Sequence, residues 1–193
     1  PNQKLVVVVS AMGKTTNKLE ELIEALYAQD HRIYAGLLDD IKAYHYEIAA
    51  GLFAEKHFHI YKELEDIFEH LAQLFFKPLS DNRSFQYDQI IAIGELISSK
   101  MLAAFLKDQG YSAAWLDAKS IIRTDNQYQE AQVDWSKTKE LCSQKVLPML
   151  ANEAIAVPGF PFNRILICPS VGPNTTLDPE RAGKVGGIPL PLA

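Results

Sequence analysis

The spacing of hydrophobic residues changes its period along the chain and predicts strands that alternate with helices. An unbroken apolar run at Lys4–Ser10 is typical of a strand covered on both faces, as in a parallel sheet. A loop of small and polar residues at 11–16 follows this strand. Asn17, with Glu20 three residues later, then predicts a capping box at the start of a helix. This order indicates the beginning of an α/β unit.

The middle of the chain is predicted to be mostly helical. A helical period extends over residues 37–79 and predicts two long helices with a break near 56–59. The apolar run Asp88–Ile93 predicts a second strand. Gly94 then marks a turn into a helix over Glu95–Gln109.

Strands are also predicted at Tyr111–Leu116 and Ile155–Val157, with a helix over Asp134–Leu150 between them. Strands that alternate with helices pair in parallel, so the predicted fold class is α/β, with a mainly parallel sheet sandwiched between helices in three layers. Residues 1–160 form the predicted domain. Residues 161–193 are rich in proline and glycine and are predicted to form an irregular tail of open origin.

Composition narrows the class of protein. A chain of 193 residues with 48% hydrophobic and 22% charged residues fits one globular domain. The net charge of −5 argues against nucleic acid as a partner, and no apolar run of about 20 residues predicts a membrane span. The two cysteines predict neither a disulfide framework nor a metal site, which favours a reducing cytoplasm.

Two segments carry candidate chemistry. Gly13-Lys14-Thr15 follows a predicted strand, but a Walker phosphate loop needs a glycine where Val8 stands. A loop that leads into a helix N-terminus could still bind an anion, and a plain strand-to-helix turn is an equally good interpretation.

The second segment is Gly94-Glu95-Leu96-Ile97-Ser98-Ser99. It brings a carboxylate and hydroxyls to the predicted carboxyl end of a strand, where open parallel sheets bind ligands. The simpler interpretation is that Glu95 only complements the dipole of the following helix.

Together these segments resemble the aspartokinases of the amino-acid kinase family. Val6–Leu19 is similar to that family's motif V-x-S-A-x-x-x-x-T-[ND]-x-L, and Gly94–Gly110 resembles its G-E-x-[LI]-S helix. Trp115–Trp135 resembles the stretch that follows, including its L-D-A and R-T-D elements. The three motifs occur in the family's order, and the resemblance covers about residues 4–160.

The resemblance implies roles for particular residues. It implies that Ser10 and Thr16 line an L-aspartate site and that Glu95 holds the α-ammonium group of the substrate. Phe160 matches a loop whose backbone contacts substrate, and Arg181 stands near the place of an arginine that faces phosphate. Residues 1–160 would then be the aspartate-binding part of the domain, and no catalytic residue is assigned.

The resemblance also implies ATP and Mg²⁺ as cofactors of the intact enzyme, in the pathway to lysine, threonine and methionine. The family's phosphate-binding lysine, in K-[FY]-G-G-[TS], would lie before Pro1, and its S-D pair after the T-T-L element is replaced here. We therefore expect this piece alone to be inactive. We also expect it to associate with a second copy or to be marginally stable, because a sheet without its first strand exposes unpaired edges.

Two alternatives stay open at the level of sequence. Another amino-acid kinase, such as a glutamate or uridylate kinase, would share the fold. A non-catalytic amino-acid-binding or regulatory domain would be built on the same fold.

Overall fold

The structure is a computed structural model and describes residues 4–53, 58–152 and 155–159. Phe160, Arg181 and the predicted tail at 161–193 therefore lie outside the described residues. The described elements, in chain order, are β1 (Leu5–Val6), α1 (Thr15–Tyr27), α2 (His31–Leu52), α3 (Phe58–Leu74), α4 (Arg83–Asp108), β2 (Ala113–Asp117), a short 3₁₀ turn (Ala118–Ser120), α5 (Trp135–Asn152) and β3 (Ile155–Gly159).

The three described strands form one parallel sheet with the order β1-β3-β2. Leu5 pairs with Ile155, and Asp117 at the end of β2 pairs with Gly159. Helical crossovers between the strands make this parallel pairing possible, as the sequence predicts. Two expectations about β1 are wrong, because it is limited to two residues and both of its side chains are exposed.

Helix α4 replaces the strand that was predicted at Asp88–Ile93. It begins after Asn82, whose side chain accepts a hydrogen bond from the Phe85 N–H at 2.9 Å, a standard N-cap. The six residues from 90 to 95 are all buried. A helix surrounded by other elements has no polar face, so its sequence cannot be distinguished from a buried strand by periodicity.

Helices α1 to α4 share the larger hydrophobic core. The predicted break between the two middle helices is confirmed, since α2 ends at Leu52 and α3 begins at Phe58. The predicted capping box at Asn17 is wrong. Helix α1 begins two residues earlier, at Thr15, whose hydroxyl donates to the Met12 carbonyl at 2.7 Å and closes the preceding turn.

Helices α4 and α5 contact the sheet through different residues of β2. The Trp115 indole donates to Ser99 of α4 at 3.0 Å, whereas Leu116 packs on the smaller core, which contains Val146 and Leu150 of α5. Successive residues of a strand point to opposite faces, so both faces of the sheet are covered at this point. By length and composition α4 could cross a membrane, but 61% of its apolar window is buried inside the protein, as in a core helix.

Candidate functional site

The loop between β1 and α1 lies directly against the middle of α4. A Cβ added to Gly94 would stand 2.7 Å from the Cβ of Ala11 and 3.5 Å from Leu19 and Thr15 side-chain atoms. Only a glycine allows the loop and the helix to approach so closely. Gly94 is therefore a packing residue inside a helix, and its predicted role as a turn is wrong.

Two successive backbone N–H groups of the loop bond to side chains one turn apart on α4. The Ala11 N–H donates to the Glu95 carboxylate, and the Met12 N–H donates to Ser98 Oγ at 3.1 Å. Residues three apart share one face of a helix, which explains why Glu95 and Ser98 both reach the loop. The structure thus joins the two candidate segments of the sequence.

Glu95 is only 6% exposed and is incompletely hydrogen-bonded. Its Oε2 atom has no hydrogen-bond partner among the described residues. Burial raises the pKa of the Glu95 carboxyl above its ordinary value of 4.5, and the backbone N–H groups of Glu95 and Ala11 oppose part of that rise. A buried carboxylate oxygen without a donor is costly and is ready to accept a bond from a cation.

The other predicted site residues have different outcomes. Ser10 is exposed at the start of the loop, and Thr16 is half-buried in the first turn of α1. Both therefore belong to the segment that contacts Glu95. Glu95 itself lies within α4. The prediction that it follows the carboxyl end of a strand is therefore wrong. Phe160 and Arg181 lie outside the described residues.

The hydroxyl residues of the α4 segment have separate roles. Ser98 accepts from the loop and donates to the Gly94 carbonyl at 3.0 Å. Ser99 is fully buried, accepts from the Trp115 indole and donates to the Leu96 carbonyl. Ser98 is thus part of the site, whereas Ser99 connects α4 to the sheet.

Helix α2 also contacts the loop. Gly13 has φ +57°, and a Cβ added there would stand 2.5 Å from the Tyr44 hydroxyl. His45 is fully buried, and its Nε2 lies 3.4 Å from Thr15 Oγ1. Burial lowers the pKa of His45, and its bond to the Ile41 carbonyl opposes that shift. No pattern in the sequence indicated a contact between His45 and the loop.

The described residues contain no group of three or more His, Cys, Asp or Glu side chains arranged to hold a metal ion. Within this part of the chain, the site therefore consists of one buried carboxylate, nearby hydroxyls and the backbone of the loop. Such a set suits a small ligand that carries an ammonium group.

Comparison with known proteins gives the class to which this fold and site belong. The amino acid kinase family matches residues 1–167, so the chain belongs to that family. Within the family, its sequence is similar to aspartokinases. It is 30% identical over 157 residues to the bifunctional aspartokinase/homoserine dehydrogenase 2 of Escherichia coli (strain K12), covering 80% of this chain and 18% of that protein. It is 26% identical over 155 residues to lysine-sensitive aspartokinase 3 of the same organism, covering 80% of this chain and 33% of that protein.

Solved structures agree with the sequence comparison. The fold is similar to E. coli aspartokinase III in complex with lysine and aspartate (T-state), with a TM-score of 0.71 and 25% identity. It is also similar to that enzyme in complex with aspartate and ADP (R-state), with a TM-score of 0.65 and 24% identity. Each match covers 79% of this chain and 33% of the solved chain. The chain thus spans a third or less of the length of these relatives.

Proposed function

We propose that this chain provides the L-aspartate site of an aspartokinase, which transfers a phosphoryl group from ATP to the side-chain carboxylate of L-aspartate. The observation that carries the proposal is the buried Glu95 carboxylate, whose Oε2 has no partner among the described residues. Support also comes from the similarity to aspartokinases, one of which was solved with lysine and aspartate.

The proposed ligand matches the chemistry of the site. L-Aspartate carries one ammonium group and two carboxylates. The ammonium group would bind Glu95 Oε2, because a charge-assisted bond offsets the cost of burying the carboxylate. Ser10 and Thr16 would donate their hydroxyls to a ligand carboxylate, and Phe160 and Arg181 are proposed to complete the site.

The described residues would bind and orient the ligand. The bond between the Ala11 N–H and Glu95 fixes the carboxylate relative to the loop, so the ligand's ammonium and carboxylate groups would meet a preformed arrangement. ATP and Mg²⁺ are proposed as cofactors of the intact enzyme. Mg²⁺ would supply neutralisation of phosphate charge there. None of the described residues is assigned to either cofactor.

We include four further expectations from the sequence in the same proposal. They are a complete three-layer sandwich, association with a second copy of the chain, a cytoplasmic location and a place in the synthesis of lysine, threonine and methionine. Coverage of both faces of β2 supports the sandwich. The exposed side chains of Leu5 and Val6 on β1 support the association.

Isothermal titration calorimetry of the purified chain tests the proposal. We expect L-aspartate to bind in a saturable manner, succinate to bind much more weakly because it lacks the ammonium group, and L-glutamate to bind more weakly because it is one methylene longer. Thr16→Val should weaken L-aspartate binding, and Glu95→Gln should abolish it. Equal binding of succinate and aspartate would contradict the assigned role of Glu95, and stronger binding of glutamate would favour another amino-acid kinase.

A further inference from the structure

A second helix, α2, contacts the loop at 11–16 through two consecutive residues. The Tyr44 hydroxyl occupies the space that a side chain at Gly13 would need. The imidazole of His45 approaches Thr15, 30 residues earlier in the chain. The loop is therefore held by α2 as well as by Ser98 and Glu95 of α4.

The hydrogen bonds of His45 define which nitrogen faces the loop. Nδ1 lies 2.7 Å from the Ile41 carbonyl, and because a carbonyl oxygen only accepts, Nδ1 carries the proton. In a neutral ring Nε2 is then an acceptor, and it lies 3.4 Å from Thr15 Oγ1. The Thr15 hydroxyl has a single proton and faces two acceptors, the Met12 carbonyl at 2.7 Å and Nε2 at 3.4 Å, so the imidazole is the second and more distant of the two.

This contact is continuous with the proposed ligand site. Thr15 bonds to the carbonyl of Met12, and the N–H of Met12 bonds to Ser98 on the face of α4 that also presents Glu95. A shift of Thr15 would therefore move the loop backbone relative to Glu95. His45 is fully buried, and among the described residues its side-chain hydrogen-bonding contact toward the ligand site is with Thr15.

We infer that His45 is a positioning residue, which holds the loop at 11–16 in the conformation that binds L-aspartate by way of the Thr15 hydroxyl. The inference rests on the proposed function of that loop. Packing alone does not account for an imidazole at this place. The ring lies beside Phe68 and Tyr44, at centroid distances of 6.1 and 5.1 Å, where a leucine would fill space without burying two polar nitrogens.

The test combines substitutions at both ends of the contact. His45→Leu removes the acceptor and retains an apolar side chain, whereas His45→Gln retains a polar group near the position of Nε2. Thr15→Val removes the hydroxyl from the other end and keeps the shape of the side chain. His70→Leu, at an exposed histidine of α3, is the matched control.

The first measurement is amide hydrogen exchange by NMR, which needs no ligand. We expect His45→Leu and Thr15→Val each to accelerate exchange at the Met12 and Thr15 amides by about tenfold or more, while amides of α3 and α5 change little. The double substitution should be no worse than Thr15→Val alone, because Thr15→Val removes the contact with His45 together with the bond to the Met12 carbonyl. His45→Gln should stay closer to the wild-type chain. Unchanged loop exchange, or effects that add, would overturn the inference.

The second measurement is the Kd for L-aspartate, which separates the two proposals. If the wild-type chain binds aspartate, His45→Leu and Thr15→Val should each weaken binding by about tenfold, and an unchanged Kd would overturn the inference while the proposed function stands. If the wild-type chain does not bind aspartate, the proposed function fails. Accelerated loop exchange would then still establish that His45 holds the loop.

Discussion

Replacing Glu95 by glutamine should stabilise the chain and abolish aspartate binding. Glu95 is 6% exposed, and one of its carboxylate oxygens has no partner among the described residues. Its pKa is raised by burial, which means that the folded state binds a proton there more tightly than the unfolded state does. Ionisation of Glu95 therefore opposes folding.

The expected size of the effect follows from the cost of a buried polar atom without a partner, about 1–3 kcal/mol and more when it is charged. Glutamine keeps an oxygen that can accept from the Ala11 N–H and removes the charge. We expect the free energy of unfolding to rise by about 1–2 kcal/mol at pH 8, or about 2–8 °C in Tm for a chain of this size. The gain should shrink as the pH falls toward 4.5, the ordinary value of the carboxyl group, because the wild-type side chain is then protonated in the folded state.

Urea denaturation of the wild-type chain and of Glu95→Gln at pH 5 and pH 8 measures the difference directly. Glu21→Gln, at an exposed position of α1, is the control for the same chemical change without burial. A saturating concentration of L-aspartate should stabilise the wild-type chain, by about 2.7 kcal/mol at 100 times Kd, and should leave Glu95→Gln unaffected. If Glu95→Gln is equally destabilised at both pH values, the carboxylate has a structural role and the reasoning is refuted.

Further substitutions test the contact between the loop and α4 and the role of Thr16. In thermal melts, Gly94→Ala should lower the free energy of unfolding by about 1–2 kcal/mol, because crowding against Ala11 costs about 1–3 kcal/mol and exceeds the helix-propensity gain of about 1 kcal/mol. Gly36→Ala is the control, since Gly36 faces open space, and it should raise the free energy of unfolding by about 0.5–1 kcal/mol. Ser98→Ala leaves the Met12 N–H without its acceptor and should cost about 1–3 kcal/mol in urea denaturation, and a cost below about 0.5 kcal/mol would contradict this bond. Thr16→Val should raise the Kd for L-aspartate by about tenfold at unchanged Tm, and an equal loss of stability would show that Thr16 is structural.

The sequence allowed several parts of the fold to be predicted. The strands predicted at Tyr111–Leu116 and Ile155–Val157 are found at Ala113–Asp117 and Ile155–Gly159, and the helix predicted over Asp134–Leu150 is found at Trp135–Asn152. The predicted helix end at Gln109 lies one residue from the observed end of α4 at Asp108, and Gly110 follows with φ +82°. The pairing of the 11–16 loop with Glu95 was also anticipated, but only because two separate motifs resemble one family.

The errors at residues 88–94 have one physical cause, which is the burial of the middle of α4 inside the protein. The sequence of a helix without a polar face lacks the helical period of apolar residues, so residues 88–93 were predicted to form a strand and Gly94 a turn. A glycine is needed at position 94 because Ala11, 83 residues away in sequence, packs directly against it, and no local pattern indicates this contact. The contact between His45 and Thr15 also depends on tertiary packing, here of α2 on the loop, and no local pattern indicates it.

A crystal structure of the chain soaked with L-aspartate tests the central claim most directly. The account predicts that the α-ammonium nitrogen lies about 2.7–3.2 Å from Glu95 Oε2, with a ligand carboxylate against the loop at 10–16. Aspartate bound elsewhere, or bound in this loop with its ammonium group beyond hydrogen-bond distance of Glu95, would contradict it.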